Sequence, residues 1–152
     1  MASVNNIFSR WKSWDKKPCP ILKDHLESGV YGERVAEAFL RRKGYKILAR
    51  NYETKWGEID LVCRHQKVLV FVEVKARDEK TLDRPSRAVD ASKRRRLMRT
   101  AYAYLAELPE RDMPTRFDVV EVYLCAGETP RCELLAGAFG SFAQGLTFDS
   151  KN

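Results

Sequence analysis

Apolar residues along this chain follow two rhythms. Between about residues 28 and 43, Val35, Ala36, Ala38, Phe39 and Leu40 recur at the spacing of one helix face. Gly44 follows in the place that commonly closes a helix. The same rhythm returns from Arg87 or Asp90 onward, where Leu97, Met98, Ala101, Tyr104, Leu105 and Leu108 form a stripe that stops before Pro109. Elsewhere the period drops to two or the apolar run becomes continuous. That predicts strands over 45–52, 57–64, 68–77 and 115–124, and a short last strand near 132–135. Helix, three strands, helix, strands is the order of an α/β domain with a mixed central sheet and helices on both faces.

Residues 57–77 carry the sharpest anomaly. In the first of their two strands Ile59, Leu61 and Cys63 alternate with Glu58, Asp60, Val62 and Arg64, so the two sets are expected on opposite faces. The second opens with five apolar residues, Val68 to Val72, and runs without a turn signal into Glu73-Val74-Lys75. Charges at the end of a buried strand cost several kcal/mol unless they are paired or bound. If Gln66 and Lys67 make a two-residue turn, Asp60 falls opposite Glu73, with Cβ atoms about 4.5–5.5 Å apart, and Lys75 shares their face. A loop of odd length would separate them. Gln66-Lys67 is not a favoured pair for such a turn, which leaves a longer even loop open.

Two carboxylates that close repel each other unless a cation lies between them. Hard ions such as Mg²⁺ take oxygen ligands, often one or two carboxylates with waters and substrate phosphates. A lysine beside them can orient a water or offset charge developing on a phosphate. The pattern therefore points to metal-assisted phosphodiester hydrolysis. Solvated hairpins carry charge pairs as well. The apolar run leading into Glu73 argues against mere decoration, because a solvated face has no need of Leu69 and Phe71.

Gly57-Glu58-Ile59-Asp60-Leu61-Val62 and Val70-Phe71-Val72-Glu73-Val74-Lys75-Ala76-Arg77 resemble the signature of the YraN-like family of uncharacterised bacterial proteins. That family resembles the PD-(D/E)xK, or restriction-endonuclease-like, nuclease superfamily and the archaeal Holliday junction resolvases. The resemblance covers about residues 30–139. It implies a restriction-endonuclease-like fold and a divalent-metal-dependent endonuclease acting on DNA, including branched or repair and recombination intermediates. It makes Asp60 and Glu73 metal ligands with Mg²⁺ or Mn²⁺ as cofactor, the Val74 backbone carbonyl a further ligand, and Lys75 the catalytic lysine. Gly32-Glu33 followed by Ala36 and Leu40 matches the first family motif, so Glu33 is implied as the helix carboxylate that completes the site, with Glu37 the second candidate. Without the family, both glutamates read as rim residues. Ile59 stands where the superfamily's motif has proline. Lys93 resembles the family's recurrent lysine on the next helix. Non-cleaving members of such folds exist, so a nucleic-acid-binding factor without catalysis is the alternative.

Composition adds a partner. The chain has 152 residues and a formal charge of +7, from 28 Lys and Arg against 21 Asp and Glu. That balance favours a polyanion. Lys93, Arg94, Arg95, Arg96 and Arg99 are the densest basic cluster and are expected to contact phosphates, as is Arg77. Tyr52 or Trp56, in or beside the polar segment 53–56, could stack on a base. Asp118 is taken as structural. Cys19, Cys63, Cys125 and Cys132 lack the spacing of a zinc site, and a reduced cytoplasmic setting is expected, with Cys63 a buried free thiol. No apolar run reaches the length of a membrane span. Residues 1–28, with Trp11 and Trp14, are expected as an N-terminal extension, a disordered arm rather than a docking peptide. Residues 29–140 are the nuclease-like domain and 141–152 a loose tail. The expected partners are nucleic acid, DNA first, and a second copy of the chain as a homodimer; no membrane is expected.

Overall fold

The first helix begins where its own side chains can satisfy its free N–H groups. In the computed structural model, which describes residues 16–80, 89–110 and 112–142, α1 is His25–Arg42. Asp24 accepts from the Glu27 N–H at 2.9 Å, and Glu27 Oε2 accepts from the Lys23 N–H at 2.8 Å. This reciprocal cap starts the helix at His25, ahead of the expected position near 28. Gly44 at φ 86° ends it as expected. Strands β1 (Lys46–Thr54), β2 (Gly57–His65) and β3 (Val68–Asp78) follow, then α2 (Ala91–Glu107), β4 (Thr115–Leu124) and β5 (Arg131–Phe142). Asp90 caps α2 by accepting from the Lys93 N–H at 2.8 Å.

The five strands lie in chain order, β1-β2-β3-β4-β5. All neighbours are antiparallel except β3 and β4, which α2 connects in parallel. Apolar side chains leave both faces of the inner strands. Tyr31, Val35, Ala36 and Leu40 of α1 cover Leu61, Cys63, Val70, Val72, Val120 and Val122. On the other face Leu97 and Ala101 of α2 cluster with Val62, Leu69, Phe71, Phe117, Val119 and Phe139. The remaining stripe residues of α2 (Met98, Tyr104, Leu105 and Leu108) pack against that cluster. This is the mixed-sheet α/β architecture of a restriction-endonuclease-like domain, with a helix on each face.

Three expectations need correction. Ile59 was expected on the face of Leu61 and Cys63, yet it packs in the α2 layer with Val62. Strict alternation fails across Asp60, where β2 parts from β3 while staying paired with β1. The last strand runs twelve residues, Arg131–Phe142, instead of four. Gly137 at φ 64° and Gly140 at φ 51° serve as irregularities inside the strand. Residues 53–54 belong to β1, so only Lys55-Trp56 turn between β1 and β2.

Asp118 is structural, as expected. It is fully buried and accepts from the Arg116 Nε at 2.9 Å, the Tyr45 hydroxyl at 3.1 Å and the Gly137 N–H at 2.9 Å. Cys63 is a buried free thiol, and burial pushes it up to about 12. Cys19 is buried as well and forms an isolated bridge with Ala126. Trp11, Trp14 and the loop at 81–88 lie outside the described residues. No described helix is long and apolar enough to cross a membrane.

Candidate metal and nucleic-acid site

Gln66 and Lys67 do form a two-residue turn, with His65 facing Val68, at the cost of a φ of 57° at Gln66. The expected register holds from there to Leu61 opposite Val72. One step further, where Asp60 would face Glu73, the ladder opens. β3 continues beside β4 alone as far as Asp78 opposite Leu124. The Val74 N–H, past the end of the β2 ladder, donates to Asp60 Oδ2 at 2.6 Å. Asp60 therefore fills a fork between strands instead of facing a cross-strand partner.

The two carboxylates still feel each other. Burial and then the charge of Glu73 push the Asp60 carboxyl up to about 7; Glu33 adds to this, while the Val74 N–H and Lys93 oppose it. Glu73 is only 7% exposed and ion-paired with the Lys93 ammonium, which arrives from the first turn of α2. Lys75 is half-buried two residues beyond Glu73 and faces Glu121 in the β3–β4 register. Burial, then Arg77, lowers the Lys75 pKa, with Glu73 and Glu121 working the other way. Glu121 is fully buried: its Oε2 accepts from the Tyr123 hydroxyl at 3.0 Å. Its Oε1 lies 3.9 Å from Arg77 Nη2 and has no hydrogen bond among the described residues.

Gly32 brings the helix carboxylate to this end of the sheet. A Cβ at Gly32 would lie 2.8 Å from the Ala76 Cβ, so only glycine lets α1 approach β3 this closely. Glu33, the next residue, is half-buried and accepts from Asn51 Nδ2 at 3.1 Å. Asn51 holds φ 46° within β1, a backbone region that asparagine tolerates better than most residues. Glu37 points elsewhere. It is 2% exposed, and Arg50 and Arg41 grip it at 2.6–3.0 Å. Burial works against its charge, but those hydrogen bonds outweigh it and hold its carboxyl below the usual range. Glu37 is thus a buried, ion-paired residue, and Glu33 is the helix carboxylate whose charge acts on Asp60.

The basic cluster is divided in its work. Lys93 neutralises Glu73, and Arg94 Nε donates to the Val89 carbonyl at 2.6 Å. Arg95, Arg96 and Arg99 are exposed. Tyr52 is engaged, its hydroxyl donating to Glu107 at 2.7 Å and its ring edge-to-face with Tyr104. Trp56 stays outside the core. Among the described residues no three His, Cys, Asp or Glu side chains converge closely enough to enclose an ion. Glu33 is turned to Asn51 and Glu73 to Lys93. Sequence reasoning missed Asn51, Glu121 and the Val74 N–H. A register argument gives strand faces, and none of these three contacts follows from a face.

Comparison with known proteins places this arrangement in a family. A UPF0102 protein of Symbiobacterium thermophilum is 48% identical over 111 residues, 73% of this chain and 94% of that relative. One from Syntrophotalea carbinolica is 44% identical over 114 residues, covering 75% and 92%. One from Clostridioides difficile is 41% identical over 101 residues, covering 66% and 89%. Residues 32–122, from the glycine that seats α1 to the valine after Glu121, match the description "Uncharacterised protein family UPF0102", the YraN-like family, and the chain belongs to it.

Proposed function

We propose that the protein is a divalent-metal-dependent endonuclease that hydrolyses phosphodiester bonds in DNA. The observation that supports this most is the pair Asp60 and Glu73. Asp60 accepts from the N–H of Val74, the residue after Glu73, at the fork where β2 and β3 part, and Lys75 follows Val74 along β3. The donor chemistry fits Mg²⁺ or Mn²⁺: the oxygens are hard carboxylate donors largely shielded from solvent. Asp60 and Glu73 would hold the ion with the Val74 carbonyl. Glu33 would join them by exchanging Asn51, and Glu73 by exchanging Lys93. The ion would supply Lewis-acid activation of the scissile phosphate. Lys75 orients the attacking water and offsets charge on the phosphate as the bond to the leaving oxygen breaks. Arg95, Arg96 and Arg99 hold the flanking phosphates.

The Lys93–Glu73 ion pair favours a second reading, a nucleic-acid-binding factor without catalysis, because lysine already compensates one ligand. Incubation with linear, single-stranded, flap and four-way DNA, with Mn²⁺ or with EDTA, separates the two. The nuclease reading requires strand scission in Mn²⁺ and none in EDTA. It also requires Lys75→Ala to lower the rate by about 10²-fold or more while Mn²⁺ binding stays close to the parent's. Binding without scission of any substrate would hand the site to the second reading.

A further inference from the structure

The β1–β2 turn carries a large aromatic side chain that the core does not absorb. Trp56 sits second in the two-residue turn Lys55-Trp56, closed by Thr54 facing Gly57. It is 40% exposed. The Arg99 guanidinium lies 4.6 Å from its ring centroid and the Lys55 ammonium 4.8 Å. The turn itself is fixed to α2. Thr54 Oγ1 and Thr100 Oγ1 lie 3.2 Å apart within hydrogen-bond reach, and a Cβ on Gly57 would stand 3.8 Å from the Arg96 Cβ.

Helical spacing turns these contacts into a track. Lys93, Arg96 and Arg99 recur every three residues along one side of α2, spanning about 9 Å. Its first member touches Glu73, its second faces Gly57 and its third covers Trp56. Trp56, in the turn that opens β2, stands four residues before Asp60, about 13 Å of extended chain. An indole flanked by cations matches a nucleobase flanked by phosphates in both shape and charge. Bases inside a duplex keep their faces buried against neighbours, so away from a duplex end it is an unpaired base that can lie on this ring.

We propose that Trp56, Lys55 and Arg99 form a stacking platform for an unpaired nucleotide, and that the Lys93–Arg96–Arg99 face leads the single strand from it to Asp60 and Glu73. This deepens the nuclease reading by naming its substrate as DNA with a single-stranded segment next to the scissile bond.

The test measures binding in EDTA by fluorescence anisotropy, with labelled oligo(dT), a blunt duplex and a duplex bearing a single-stranded overhang. The parent should prefer oligo(dT) and the overhang to the blunt duplex. Trp56→Ala should weaken binding to those two about tenfold and leave the blunt duplex unchanged, whereas Trp56→Phe should keep most of the affinity. Circular dichroism of each variant checks the fold. A parent without preference for unpaired DNA, or an alanine variant that loses all three ligands equally, would overturn the proposal. Scission plays no part in these measurements. A protein that passes them yet never cuts in Mn²⁺ would cost the nuclease reading alone.

Discussion

Asp60 has two tasks that pull in different directions. Its oxygen accepts from Val74 where the β2–β3 ladder ends, and its charge sits among Glu73 and Glu33. Its pKa is raised in the folded protein, from near 3.8 to about 7. The stability it contributes is thus complete below pH 4 and lost as pH rises through 7. Asparagine keeps an acceptor for Val74 and removes the titrating charge. Asp60→Asn should therefore melt a few °C above the metal-free parent at pH 8, and the gap should close toward pH 4–5. Millimolar Mn²⁺ should raise the Tm of the parent and not of the variant. A variant that melts below the parent at pH 8 would mean that Asp60 is held by a cation as an ordinary ion pair.

At the scale of elements, the seat of α1 on β3 depends on a missing methyl group. Gly32→Ala would ordinarily stabilise a helix interior by roughly 1 kcal/mol. Here the new Cβ meets the Ala76 Cβ at 2.8 Å, and overpacking of this kind costs about 1–3 kcal/mol. Net destabilisation is expected in urea melts, and Gly32→Ala with Ala76→Gly should recover part of it. Stabilisation by the single variant would show that α1 can lift without penalty. Most elements of this fold were legible because burial writes itself into periodicity. The α2 stripe, β4 and the β2–β3 register are examples, since each is fixed by which residues must leave water. Ile59, Asn51 and β5 were not legible. Ile59 changes layer where a ladder ends, Asn51 holds a positive φ for a side-chain contact, and β5 uses glycines to bend without stopping. Of the candidate site, the carboxylates could be read from a strand pattern broken by charge. The Lys93–Glu73 pair could not, because it depends on how α2 docks.

The whole molecule carries a charge of +7, and part of it lies on the exposed side of α2. Replacing Arg95, Arg96 and Arg99 with alanine should weaken all DNA ligands. The slope of log K against log salt should become shallower by about 0.7–0.9 for each phosphate that is no longer neutralised. Lys93 is left out because it pairs with Glu73. An unchanged slope would return these arginines to a solvated surface.

The distribution of regularity across the sheet has a further consequence. β2 pairs with β3, and β3 with β4, without a register shift, while both outer pairings slip: β1 between Ile47 and Ala49, and β5 on either side of Phe139. The edge strands are thus the bent ones, and β1 also carries Lys46, Arg50 and Glu53 on exposed positions. A bent, charged edge is a poor template for a strand from another chain. In a crowded cell, where sheets with flat rims aggregate by adding strands, these kinks act as a guard against polymerisation.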